Sequence, residues 1–326
     1  MPRFDLRTIW RAWQITNRQS KIGNLSMSSI HFADRLINAC RTKGAPVCVG
    51  LDPVFARLPK QVRDDAGQDA VEAIRVFCAQ VISVMAPHVP CVKIQSACFE
   101  RYHWRGVSVY YELVQIAASA GLIVIADAKR GDIGVSSGHY ADGHMSDPHT
   151  RDMPVGADAM TINGYLGIDA IQPFIDTAAR ANKGLFVLVR TSNPGSDAIQ
   201  SLTLEDGRTV ADAMAKTVAD AGTADGLVGQ SGFSCLGAVV GATKPADMAR
   251  LRDLMPQQIF LVPGVGAQGA SANDARACFR DDGTGAIINS SRGVIYAYEK
   301  HDTQDWRGSI EQAAVELKEQ IASVVC

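Results

Sequence analysis

The sequence predicts an α/β protein whose eight parallel strands close into a (β/α)8 TIM barrel. From Phe32 onward, short strand-like runs alternate with amphipathic helical stretches, and there are eight such runs. The runs are apolar at nearly every position, which is typical of parallel strands buried on both faces. Eight strand and helix repeats favour a closed barrel over an open doubly wound sheet, and 326 residues suffice for one barrel with an extension.

Each element follows from this pattern in chain order. The predicted strands are Val47–Leu51, Cys91–Ile94, Leu122–Ala126, Ala159–Ile162, Leu185–Val189, Leu236–Val240, Ile259–Val262 and Ala286–Asn289. The predicted helices are Ala70–Met85, Ser108–Ala120, Ile168–Ala181, Val210–Ala221, Pro245–Leu254 and Ile310–Val325. No linker rich in Pro, Gly or Ser divides these elements, so residues 27–326 are predicted to form a single catalytic domain.

The first 26 residues differ from the rest in composition. They hold five basic residues against the single acidic Asp5, and they lack the apolar stretch of a secretory signal. We expect a disordered extension, or a start codon assigned too early with Met27 as the true start. An organellar transit peptide is the alternative interpretation.

Charge and cysteine usage exclude several classes of protein. The balance of 32 basic and 34 acidic residues gives a net charge of −2, so no broad positive field is present for nucleic acid or an anionic membrane. Apolar runs stay far below the ~20 residues of a membrane-spanning helix. The eight cysteines form no C-x-x-C pair, which indicates reduced thiols in a cytoplasmic protein and no structural zinc.

Charged residues follow the first three strands, where the substrate chemistry of a barrel takes place. Asp52 comes directly after strand 1, and Lys93 lies within the apolar run of strand 2. Strand 3 ends in Asp127, Lys129 and Asp132, and strand alternation predicts that the first two share a face. A buried ion-pair cluster without a catalytic role is the alternative, although apolar side chains would fill a barrel at lower cost.

Two turns rich in small residues follow strands 7 and 8. Small residues let backbone N–H groups approach an anion, and Arg292 in the second turn offers a bidentate fork for phosphate oxygens. The long loop Thr191–Arg208 follows strand 5, and long loops in compact domains are usually functional. The pattern therefore predicts a site for a phosphorylated ligand.

These motifs resemble the orotidine 5′-phosphate decarboxylase family, most closely its longer bacterial branch (type 2). The resemblance covers about residues 32–300 in the expected order. The matching segments are Val49–Pro53, Val92–Ser96, Asp127–Gly134, Thr191–Gly195, Pro263–Gly269 and Asn289–Gly293. The family commonly has Thr where Ser136 stands and often has Pro where Gly164 stands.

The resemblance implies a role for each matching residue. Lys129 would be the proton donor of a charged tetrad completed by Lys93, Asp127 and Asp132. The implied substrate-binding residues are Asp52 and Ser136 for ribose, Ser192 for the pyrimidine, and Gln268, Arg292 and Gly293 for phosphate. The implied reaction is cofactor-free decarboxylation of orotidine 5′-monophosphate to UMP and CO2, in pyrimidine biosynthesis. The implied assembly is a homodimer in which Asp132 acts in the neighbouring subunit's site.

Other interpretations of the same residues remain open. A Mg²⁺-dependent sugar-phosphate decarboxylase or lyase of the same barrel superfamily shares the Asp-x-Lys-x-x-Asp spacing. A Schiff-base aldolase would use Lys93 or Lys129, and a non-catalytic barrel would only bind a phosphorylated ligand.

Two side-chain groups are predicted to have no role in catalysis. His139, His144 and His149 recur at a spacing that suits no helical metal site, so a solvated surface loop without metal is predicted there. The aromatic group that follows strand 2 is predicted to pack against the barrel rim; it comprises Phe99, Tyr102, His103 and Trp104.

Overall fold

Eight parallel strands close into a barrel in the computed structural model, which describes residues 30–145, 156–242, 244–265, 271–300 and 305–325. The strands are β1 (Val47–Leu51), β2 (Cys91–Gln95), β3 (Ile123–Arg130), β4 (Ala159–Ile162), β5 (Gly184–Arg190), β6 (Ser234–Val240), β7 (Gln258–Pro263) and β8 (Ala286–Ser290). Each strand pairs with the next, and β8 pairs with β1. The predicted fold class is therefore confirmed, and the strands lie within a few residues of their predicted bounds.

Helices surround the strands. They are α1 (Phe32–Lys43), α2 (Lys60–Asp65), α3 (Ala70–Met85), α4 (Ala97–Glu100), α5 (His103–Ser119), α6 (Gly134–Met145), α7 (Ile168–Ala181), α8 (Asp197–Gln200), α9 (Val210–Ala221), α10 (Pro245–Leu254), α11 (Ala272–Ala275), α12 (Arg292–Ile295) and α13 (Trp306–Val325). Within the described ranges, no helix is both long and apolar enough to cross a bilayer. The predicted extension, residues 1–26, lies outside the described residues.

Helix α1, which the sequence analysis does not predict, covers the amino-terminal end of the barrel. Its Phe32 ring packs edge-on against Phe186 of β5, with 6.2 Å between the ring centroids. Its Arg35 forms a 2.6 Å ion pair with Asp158, directly before β4. Because these contacts lie at the starts of the strands, the opposite end of the barrel is where a ligand can enter.

Helix α6 corrects the predicted surface loop. Residues 134–145 are helical, and Ser137, Ala141 and His144 form its buried face. Three glycines in this segment lower its helix propensity, so burial of that face rather than propensity accounts for the helix. His139 is exposed, as predicted, whereas His144 is buried and lies 3.2 Å from the Tyr110 hydroxyl. His149 lies outside the described residues.

The aromatic group after β2 divides between core and surface. Phe99 is buried and packs against Tyr110 with 5.9 Å between the ring centroids, as predicted. Trp104 is 79% exposed, so the predicted packing is wrong for this residue.

We expect His144 to make the fold acid-sensitive. Burial lowers its pKa from 6.5 to about 4, so between these values the unfolded chain binds a proton that the folded chain does not. Its contribution to the free energy of unfolding should be about 2 kcal/mol smaller at pH 5 than at pH 7. Urea unfolding at both pH values should show a smaller pH dependence for His144→Gln than for the wild type. His139→Gln, on the exposed face of the same helix, should behave as the wild type. If the free energy of unfolding changes equally between pH 7 and pH 5 in all three proteins, the prediction is contradicted.

Candidate active site

A cavity of about 930 Å³ lies at the carboxyl ends of the strands. Most of the residues proposed for the site from the sequence line it. They are Asp52, Lys93, Asp127, Lys129, Ser192 and Arg292. The barrel therefore brings together side chains that are up to 240 positions apart in the chain, from Asp52 to Arg292.

Asp127 bridges two lysines at the floor of this cavity. One carboxylate oxygen accepts a hydrogen bond from Lys93, and the other lies 2.5 Å from Lys129 Nζ. Gln95 Nε2 and Thr161 Oγ1 also donate to this carboxylate, at 3.1 and 2.9 Å. With four donors, the Asp127 carboxylate is held in one orientation.

Charge pairing rather than solvent keeps this cluster ionised. Burial alone would raise the pKa of Asp127, but Lys93 and Lys129 hold it well below its usual range. Burial alone would likewise lower the pKa of Lys93, but Asp127 and Asp52 raise it above its usual value. A fixed negative charge thus lies between two ammonium groups in a mostly desolvated position.

Lys129 reaches the cavity through an irregular end of β3. The register between β3 and β4 shifts between Ala126 and Arg130, and Lys129 adopts a left-handed backbone with φ of 47°. Its backbone N–H donates to Thr161 Oγ1 at 3.0 Å. Lys129 thus departs from regular strand geometry, yet it shares a face with Asp127, as strand alternation predicts. Backbone conformations of this kind cluster at functional sites.

Ser192 lies where the loop after β5 meets the end of β6. A Cβ on Gly241 would lie 3.0 Å from the Ser192 backbone nitrogen, so only glycine permits this approach. Buried Arg190, at the end of β5, orders the loop; its guanidinium hydrogen-bonds the side chains of Ser196, Asp197, Gln200, Ser201 and Asp247. Gln200 in turn accepts the Thr191 N–H at 2.9 Å, directly before Ser192.

Arg292 lies on the turn after β8, beside β1. A Cβ on Gly50 would lie 1.8 Å from Ser291 Oγ, so glycine at this point of β1 lets the turn approach the cavity. The Arg292 side chain is exposed and has no hydrogen-bonded or ion-pair partner among the described residues. An unpaired guanidinium at the cavity is available to an anionic ligand.

Four predicted site residues are not placed in the cavity of their own chain. Asp132, Ser136 and Gly293 are absent from its lining, although Gly293 adjoins Arg292. The Asp132 carboxylate accepts the N–H of Ile133 at 2.8 Å, and Ser136 is exposed on the first turn of α6. Gln268 lies outside the described residues.

Two residues that organise the site are missing from the sequence prediction. Thr161 bonds both Asp127 and the Lys129 backbone, and Arg190 orders the Ser192 loop. Each is a polar residue at the carboxyl end of an otherwise apolar strand, which is the signal that could have identified it. No group of three His, Cys, Asp or Glu side chains in the described ranges is arranged to hold a metal ion.

A closed (β/α)8 barrel whose cavity joins a Lys-Asp-Lys cluster to an exposed arginine defines a barrel enzyme with a site for a small anionic molecule. A sequence model of the orotidine 5′-phosphate decarboxylase / HUMPS family matches residues 45–304. The chain belongs to this family.

Individual relatives agree with the family assignment. The chain is 39% identical over 300 residues to orotidine 5′-phosphate decarboxylase of Rhodopirellula baltica, covering 89% of this chain and 98% of the relative. It is 37% identical over 266 residues to the Deinococcus radiodurans enzyme of the same name, covering 82% and 89%.

Solved structures show the same fold. Leishmania donovani OMP decarboxylase superimposes with a TM-score of 0.71 at 31% identity, covering 90% of this chain and 99% of that one. The TM-score is 0.59, at 18% identity, with orotidine 5′-monophosphate decarboxylase of Methanocaldococcus jannaschii complexed with the inhibitor BMP. The superposition covers 85% of this chain and 98% of that one.

Proposed function

We propose that this protein decarboxylates orotidine 5′-monophosphate to UMP and CO2 without a cofactor. The observation that carries the proposal is the Lys93-Asp127-Lys129 cluster at the floor of the cavity, in a chain that belongs to this family. Relatives at 33–39% identity carry the name of this activity, which favours it over the sugar-phosphate lyase, the aldolase and the non-catalytic barrel.

The difficulty of this reaction is the charge that develops on the pyrimidine ring. Loss of CO2 leaves an electron pair on ring carbon C6, which has no neighbouring carbonyl to delocalise it. The Lys129 ammonium beside C6 stabilises that charge and then donates its proton to the carbon. Asp127 holds Lys129 in place at 2.5 Å, so the positive charge is oriented before the substrate reacts.

Asp127 has a second effect, on the substrate carboxylate. Two like charges 4 Å apart repel by about 4 kcal/mol at an effective dielectric of about 20. Because its pKa is held well below the usual range, Asp127 does not relieve this repulsion by taking up a proton at neutral pH. Departure of neutral CO2 relieves it instead.

Contacts remote from C6 supply the binding energy that holds this complex together. Arg292, Gly293 and Gln268 bind the phosphate, Asp52 a ribose hydroxyl, and Ser192 the pyrimidine. Support comes from the unpaired Arg292 guanidinium at the cavity and from the fixed loop that carries Ser192. Interactions far from the reacting carbon can be used in this way to lower the barrier.

Asp132 completes the site of a neighbouring subunit in a homodimer, and Ser136 lies near it in the chain. They lie outside the cavity of their own chain, and the exposed apolar Ile133 and Val135 lie beside them. The adjoining loop, joined to β3 by the 2.7 Å hydrogen bond from Asn163 N–H to Arg130 O, adds exposed Tyr165. Exposed apolar side chains grouped in this way mark an interaction surface.

The compartment that we propose is the cytoplasm. The cysteines of the described ranges are free thiols, and most are buried. Unpaired cysteines of this kind are typical of a reducing compartment, where pyrimidine nucleotides are made and used.

A turnover assay tests the proposed activity. Purified protein should cause loss of orotidine 5′-monophosphate absorbance together with formation of UMP and one equivalent of CO2. Absence of turnover by a folded protein that binds UMP would contradict the proposed activity and favour the non-catalytic barrel. Trapping of a covalent adduct by borohydride would indicate an imine and favour the aldolase.

Activity should persist in EDTA without added metal. Both Asp127 oxygens are bonded to ammonium groups, which leaves no carboxylate of this cluster open for Mg²⁺, and Lys129 supplies the positive charge itself. Turnover by protein dialysed against EDTA should match untreated protein. Loss of activity that Mg²⁺ alone restores would contradict this and favour the sugar-phosphate lyase.

A further inference from the structure

Asp52 is held in the cavity by its backbone rather than by its side chain. Its buried Oδ1 has no hydrogen-bond partner among the described residues. The nearest cation, Lys93 Nζ, lies 3.8 Å from that oxygen, beyond hydrogen-bonding distance. The direction of the Asp52 carboxylate therefore depends on what fixes the chain around it.

A single hydroxyl fixes that chain segment from both sides. Tyr296 OH accepts the Val54 N–H at 2.8 Å and donates to the Asp52 carbonyl at 3.1 Å. Pro53, which stands between them, has no N–H to contribute. One side chain thus bonds the backbone of this turn at both Asp52 and Val54.

The Tyr296 ring is itself immobilised. It is 2% exposed and stacks on Phe77 of α3, with 6.4 Å between the centroids. The Arg57 guanidinium covers it at 3.7 Å from the ring centroid. Burial raises the pKa of Tyr296 to about 12, so the hydroxyl keeps its proton at neutral pH and can donate while it accepts.

Tyr296 also connects two parts of the site. Its backbone N–H donates to the Arg292 carbonyl at 3.3 Å, because Tyr296 ends the short helix α12 that Arg292 begins. Tyr296 therefore joins the residue proposed for phosphate, through its backbone, to the residue proposed for ribose, through its side chain.

We propose that Tyr296 is a positioning residue, which sets the Asp52 carboxylate for a ribose hydroxyl at a fixed distance from the phosphate site. This inference rests on the proposed function, in which Asp52 binds ribose. It implies that the hydroxyl of Tyr296, rather than its ring, carries part of the selectivity for a ribonucleotide.

The test compares Tyr296→Phe with Tyr298→Phe by calorimetric titration of UMP, 2′-deoxy-UMP and 3′-deoxy-UMP. Tyr296→Phe should weaken UMP binding about fivefold, which is the effect of losing one ordinary hydrogen bond. Asp52→Ala, which removes the acceptor, identifies the ribose hydroxyl that Asp52 binds, because it leaves the affinity of the analogue without that hydroxyl unchanged. Tyr296→Phe should not weaken binding of that same analogue. In the Asp52→Ala background, Tyr296→Phe should have no further effect on UMP affinity.

Tyr298→Phe is the matched control, because Tyr298 belongs to the same aromatic cluster and its hydroxyl donates to the Arg57 carbonyl at 2.7 Å, further along the same turn. Tyr298→Phe should lower the melting temperature about as much as Tyr296→Phe does, and its UMP affinity should stay within twofold of the wild-type value. The inference would be overturned if Tyr296→Phe lost affinity equally for UMP and both analogues. It would also be overturned if Tyr296→Phe and Tyr298→Phe changed UMP affinity equally. If the wild type binds UMP and decarboxylates orotidine 5′-monophosphate, and Tyr296→Phe binds UMP as the wild type does, this inference alone is refuted. If the wild type neither binds UMP nor decarboxylates the substrate, the proposed function is refuted as well.

Discussion

Replacement of Lys129 by alanine is expected to abolish decarboxylation while binding of UMP largely survives. Removal of the proton donor and of its positive charge should lower kcat by about 10⁴-fold or more. The product carries neither the carboxylate nor the developing charge on C6, so its affinity depends on the phosphate and ribose contacts instead. Turnover and calorimetric titration of UMP on the same preparation measure the two effects.

The control for this experiment is Lys216→Ala, which removes an exposed lysine paired with Asp220 at 2.5 Å on the outer helix α9. It should leave both turnover and UMP affinity unchanged. Substantial activity in Lys129→Ala would contradict its assignment as proton donor. Loss of UMP binding together with activity would place Lys129 in substrate binding or in the fold, rather than in the chemical step.

Mixing two inactive variants should restore activity if the sites are shared between subunits. When Lys129→Ala and Asp132→Ala chains exchange at random, half of the dimers contain one chain of each. In such a dimer one site carries both lesions and the other carries neither, so about a quarter of all sites should be intact. The measurement is specific activity after subunit exchange, relative to the wild type.

The matched control mixes Lys129→Ala with Lys93→Ala. Both lysines contact the same Asp127 within one chain, so every site of a mixed dimer keeps a lesion and no activity should return. Lack of recovery in a demonstrated dimer of Lys129→Ala and Asp132→Ala would place Asp132 in its own chain's site. It would also remove the proposed reason for dimerisation.

The barrel could be predicted from the sequence because its strands are buried on both faces. Strand β1 and the part of β6 from Cys235 onward, for example, are buried at every position, which appears in the sequence as uninterrupted apolar runs. Helix α6 could not be predicted in this way, since its glycines weaken the local signal and its burial depends on packing against the barrel. Tertiary contacts, rather than local preference, account for that helix.

The charged cluster was predictable in composition but not in geometry. A lysine within an apolar strand requires a carboxylate partner, and Asp127 is that partner for Lys93. Strand alternation places Lys129 on the same face as Asp127, but the register shift and the left-handed backbone at this point leave no trace in the sequence pattern. Tyr296 is missed for a different reason: its hydroxyl bonds backbone groups more than 240 positions away, and sequence spacing carries no trace of such a contact.

Helix α1 lies at the end of the barrel where a change in the chain would have little effect on the cavity. Phe32 and Arg35 contact the starts of the strands, so the amino-terminal end of the barrel lies on the side away from the cavity. A five-residue strand spans about 17 Å, so that distance separates the two ends. Chain inserted in a loop that follows a strand would therefore lie beside the cavity, whereas chain inserted in a loop that precedes a strand would lie about one strand length away from it.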